Sequence, residues 1–75
     1  MSNAEPARPN MFELDIAQCT NACVQKDLDR ALDIYHSIPG HVNRTPRDHQ
    51  SAAVGDGFRA QERMREIIDV FFPEK

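Results

Sequence analysis

NMFELDIAQCTNACVQKDLDRALDIYHSIPG, residues 10–40, is the stretch whose reading decides the fold. Asn10 has the chemistry of a helix N-cap, and Glu13 three residues later completes a capping box. From Leu14 the pattern steps by three and four through Leu14, Ala17, Asn21, Val24, Leu28, Ala31, Tyr35 and Ile38, with Asn21 its polar exception. That spacing is a heptad-like apolar stripe, and it predicts one helix over 11–38. Pro39-Gly40 is the expected stop.

Downstream, residues 39–44 read as a loop. Thr45 suits an N-cap, Pro46 the first helical position and Asp48 the first-turn acid. A second stripe follows in Ala53, Gly57, Ala60, Met64, Ile67 and Phe71, and Pro73 closes a helix expected over 46–72. Gly55 and Gly57 each cost a helix interior about 1 kcal/mol relative to Ala. They either break this helix or, with Ala52, Ala53 and Ala60, give it a small-residue face for close approach; a continuous helix is the expectation. Two helices of about 40 Å each, joined by a short connection, predict an all-α antiparallel hairpin.

The 75 residues make one domain over 10–75 behind a tail at 1–9 that is expected to be disordered, with Met1-Ser2-Asn3-Ala4 resembling a cloning remnant. A hydrophobic fraction of 40% and a charged fraction of 28% fit a globular chain. A formal net charge of −3 argues against sequence-independent nucleic-acid binding. No apolar run approaches the roughly 20 residues of a membrane span, and the polar start does not resemble a signal peptide. Cys19 and Cys23, one helical turn apart, are poorly placed to bridge and read as reduced thiols. The expected compartment is the cytoplasm.

A hairpin buries one stripe per helix, and this sequence carries more. Phe12, Ile16, Cys19 and Cys23 form a second set on the first helix; Val54, Phe58, Ile68 and Phe72 form one on the second. A two-helix hairpin is also marginal by itself. Both points predict a homodimer closing into a four-helix bundle, with Leu14, Asn21, Val24, Leu28, Met64 and Ile67 in the dimer core; Asn21 either faces water at a frayed edge or, as the lesser alternative, fixes register. Tyr35, Phe58, Phe71 and Phe72 are the expected anchors for a different protein partner.

Cys19-x3-Cys23-x12-His36-x4-His41 matches the spacing of a two-Cys, two-His zinc finger. The cysteines, however, fall in a helical pattern rather than on a β-hairpin, and Pro39-Gly40 separates the histidines, so no metal is expected. His41, Arg44, Thr45, Arg47 and His49 gather around the expected start of the second helix. A helix N-terminus with arginines attracts anions, which gives the alternative reading, a nucleotide or phosphate binder. Catalysis has little to stand on, because the thiols lie among apolar residues and acids, and the carboxylates of the first helix spread along a solvated face. The expectation is a non-enzymatic, cofactor-free homodimer that binds and regulates or inhibits another macromolecule. By analogy alone, such adaptors or antagonists suit a phage or mobile element.

Overall fold

Cys23 and Ala22 are where the expected first helix stops. In the computed structural model, which describes residues 9–73, Lys26 N–H donates to the Cys23 carbonyl at 2.9 Å and Asp27 N–H to that of Ala22 at 2.8 Å. Lys26 sits in the left-handed region at φ 62°. Together these bonds form a Schellman termination, which satisfies the last carbonyls by turning the chain away. Asp27 then caps the next helix, its carboxylate accepting from Arg30 N–H at 3.1 Å. The expected helix over 11–38 is therefore two: α1 (Glu13–Val24) and the start of α2 (Leu28–Arg44).

Pro39-Gly40 does not end α2, and residues 39–44 are helical rather than a loop. Proline interrupts a helix because it offers no N–H to the carbonyl four residues back. That carbonyl belongs to Tyr35, and the side-chain amide of Gln61 donates to it at 3.1 Å. Thr45 does not cap the following helix but ends α2 in extended backbone, with its hydroxyl bonding back to the His41 carbonyl. A short 3₁₀ turn at Arg47–His49 leads into α3 (Gln50–Phe71), which starts four residues later than expected. Gln50 ties this start to α2 by donating to the Val42 carbonyl at 3.2 Å.

Through Gly55 and Gly57, α3 runs unbroken, as expected. At Gly57 α2 comes close: a methyl group there would lie 2.7 Å from Val42 Cγ2 and 3.3 Å from Ile38 Cγ2. Each of the three helices packs against the other two, and among the described residues there is no strand. The tail expected at 1–9 lies, for residues 1–8, outside the described residues.

The core decides which stripe faces inward. Phe12, Ile16, Cys19 and Cys23 are buried on α1, Ala31, Ile34 and Ile38 on α2, and Ala53, Ala60, Met64 and Ile68 on α3. On α1 the second apolar set, not the first, points inward. Across its thinnest direction the Cα trace measures only 16 Å, about two helix layers at the usual spacing of 8–10 Å. No part of this core lies far from a surface.

Candidate interaction surface

Among the described residues Asp56 is the most buried charged group, at 2% exposure. It stands between the two glycines of α3, where small neighbours let the start of α1 approach. One carboxylate oxygen accepts from the Met11 N–H at 3.0 Å, and the other from Arg59 Nη2 at 2.8 Å. Asn10 completes the joint, its amide donating to the Asp56 carbonyl at 2.9 Å and its Oδ1 accepting from Phe12 N–H at 2.8 Å. Asn10 thus closes a turn ahead of α1 and does not cap the helix, whose N-cap position is Phe12 with no side-chain cap; its expected partner Glu13 turns away to an exposed ion pair with Arg63 at 3.2 Å. Buried polar groups have to be paired, so Asp56 reads as a structural clamp. Sequence reasoning passed over it; an acid between two glycines at a helix position is the signal that marked it.

The residues expected to bind an anion do not converge. His41 lies on α2, its Nδ1 3.2 Å from the Asp15 carboxylate of α1 and its ring stacked on Phe12. The Thr45 hydroxyl is committed to the helix behind it. Arg44 folds along Gly40, while Arg47 and His49 are exposed. Pro46 has no N–H to offer, and α3 opens without a side-chain cap.

The zinc-finger spacing is likewise dispersed. Cys19 and Cys23 are buried and unbridged, with Cys19 Sγ donating to the Ala31 carbonyl at 3.8 Å. Burial, reinforced by the neighbouring Cys23, pushes the Cys19 thiol up to about 11, and burial also raises Cys23. Thiols held protonated are poor nucleophiles and poor metal ligands. His36 is exposed and His41 is occupied elsewhere; among the described residues no group of three or more His, Cys, Asp or Glu is placed to hold a metal.

Of the four expected anchors, the fold brings two together. Tyr35 and Phe58 border one groove between α2 and α3, whereas Phe71 and Phe72 lie half-buried at the far end of α3 beneath Lys26. The groove is a row of shallow hollows. One is lined by Leu32, Tyr35, His36, Arg65 and Ile68; the next by Tyr35, Phe58, Gln61, Glu62 and Arg65; and a third runs on past Pro39, Val42 and Val54. Their volumes of about 260, 280 and 300 Å³ fall at or below the lower end of the roughly 300–1,000 Å³ typical of ligand clefts. They suit side chains better than substrates. Phe58 stands out of the groove at 64% exposure.

A second apolar face lies on α1. Leu14 is 71% exposed and Val24 59%, with Ala17 and Asn21 exposed between them. These belong to the stripe expected in the dimer core. Its other expected members lie elsewhere: Met64 is wholly inside the single chain, and Leu28 and Ile67 are half-buried against that core. Among the described residues no helix is long and apolar enough to cross a membrane. No family model, curated protein or solved structure shows a significant match to this chain.

Proposed function

We propose that the protein is a non-catalytic helical module that works by binding: to a second copy of itself and, through the face the pair leaves open, to another macromolecule that it regulates. The observation that carries this reading is a thin three-helix unit exposing two separate apolar faces, Val54 and Phe58 on one and Leu14 and Val24 on the other. Large apolar side chains exposed in this way offer the surface that interaction sites use. With three helices per chain, the expected four-helix bundle becomes a pair of three-helix units. The polar groups support the same reading, since Asp56 and His41 are engaged in holding helices together. The dispersal of the basic loop residues gives the anion-binding alternative less support.

Light scattering over a concentration series tests the self-association. The expected result is a mass rising to twice the 8.5 kDa of the chain; a constant monomer mass overturns it. For the second half, Leu14→Asp with Val24→Asp should retain fold and mass yet lose a partner that wild type retains on co-purification. Retention of every such partner by that variant overturns the assignment of the α1 face.

A further inference from the structure

Three residues, Gln25-Lys26-Asp27, separate α1 from α2, and none of them is a glycine or a proline. Lys26 turns the chain at φ 62°, a conformation in which the side chain of an L residue crowds the following carbonyl. Were these three residues helical instead, α1 and α2 would fuse into one helix over 13–44, about 48 Å long. The register for that helix is already in place. Ile16 to Ile34 is about five whole turns at 3.6 residues per turn, and Cys23 and Ile38 fall on the same side of such a helix. All four side chains are buried. The fused helix therefore keeps the buried faces of both halves in line.

The bonds that hold α1 and the turn ahead of it cross to the other two helices. Asp15 meets His41 at 3.2 Å and Glu13 meets Arg63 at 3.2 Å. Met11 N–H donates to Asp56 at 3.0 Å, and Cys19 Sγ to the Ala31 carbonyl at 3.8 Å. Beneath them Phe12, Ile16, Cys19 and Cys23 join the core that α2 and α3 complete. The α1 of a second copy offers the same atoms, so it can remake each contact in the place that the first has left. Short hinges under strain invite such an exchange, because opening relieves the strain and the core contacts are kept. We propose that two copies exchange α1: residues 25–27 turn helical in each, and each fused helix delivers its α1 onto the other copy's α2 and α3. The exchange uses the buried face of α1 and leaves Leu14 outward. It rests on the self-association put forward above and names the surface that carries it.

The test compares the full wild-type chain with Lys26→Gly by light scattering. Glycine accepts the left-handed turn and weakens any helix that runs through it, so both effects favour the unexchanged chain. The expected result is a dimeric wild type and a Lys26→Gly dimer weaker by about tenfold or more, since each dimer contains two hinges. Which chain supplies each α1 is read at the Glu13–Arg63 pair. Arg63→Lys sets an amine beside the Glu13 carboxylate, and a carbodiimide joins the two as an amide, taking up the water released. Equal amounts of isotopically labelled and unlabelled Arg63→Lys chain are unfolded together and refolded, and the dimer is cross-linked and digested for mass spectrometry. Exchange places about half of the joined peptide pairs between a labelled and an unlabelled chain. A monomeric wild type overturns the self-association and this inference together. A dimer whose joined peptides all come from single chains, or one that Lys26→Gly leaves equally tight, overturns only this inference.

Discussion

The side-chain amide of Gln61 donates to the Tyr35 carbonyl at 3.1 Å, replacing the backbone bond that Pro39 cannot make. A proline within α2 is tolerated because α3 brings a donor to the carbonyl it leaves behind. The two positions are thereby coupled. Gln61→Leu should cost about 0.5–1.5 kcal/mol in urea denaturation, the usual net worth of a hydrogen bond, here a part-buried one. In a Pro39→Ala background, where residue 39 regains its N–H, the same substitution should cost distinctly less. Equal costs in both backgrounds would rule the coupling out.

Gly55 and Gly57 should respond to alanine with opposite signs. At Gly55 the nearest atoms are those of the flexible Arg59 guanidinium, 3.4 Å from a built methyl. Gly55→Ala should therefore raise stability by up to about 1 kcal/mol through helix propensity. Gly57→Ala pushes a methyl into Val42 Cγ2 at 2.7 Å and should cost about 1–3 kcal/mol by overpacking. Thermal melts of the two variants decide the matter; a shared direction would contradict the packing described here.

Asp56→Ala removes the acceptor of Met11 N–H and of Arg59. The loss should be about 2–3 kcal/mol, because hydrogen bonds to charged groups and unpaired buried donors lie in that range. Arg59→Ala should cost under about 1 kcal/mol, since the arginine is largely in water. Chemical denaturation of both variants checks the ranking, and a costlier Arg59→Ala would show that the ion pair, not the clamp on α1, is what matters.

Alkaline pH should weaken the fold through the two cysteines. Burial raises the Cys19 thiol from 9.0 to about 11 in the folded chain, so the unfolded chain ionises first. The stabilisation is full below pH 9 and is lost as pH climbs toward 11. The measurement is a difference: stability against pH for wild type and for Cys19→Ala/Cys23→Ala. The wild-type curve should fall more steeply between those limits. Parallel curves would mean that the thiols are not held protonated.

Much of this was legible in residue order, and the failures have specific causes. The α3 core positions Ala53, Gly57, Ala60 and Met64 follow from spacing, but toward the end of the helix the core takes Ile68 from the second apolar set and leaves Ile67 and Phe71 of the first only partly buried. On α1 two apolar stripes compete, and Leu14, Val24 and Phe12, Ile16 are equally good until a third helix selects between them. The break at residues 25–27 was hidden because the left-handed position holds Lys26, where glycine or asparagine would have announced it. Lys26 is accommodated by the bonds around it and lies over Phe71 and Phe72 at 5.6 and 5.9 Å from their ring centroids. Pro39-Gly40 misled for the reverse reason: the donor that rescues the helix comes from 22 residues further on, a distance no local rule covers. Tyr35 and Phe58 could be picked out as large apolar residues in excess of one stripe, but their shared groove required the fold.

The contact of Gly57 with Val42 bears on how kinship to this chain could be detected. Positions 57 and 42 share one volume, so they behave as a single inherited character. A descendant that gains a side chain at 57 recovers the lost stability by giving up bulk at 42 or 38. Apolar periodicity, common to countless helices, identifies no lineage. Compensating exchange between these two sites would, and a set of chains that trade size between them would declare the same three-helix packing however far the rest had drifted.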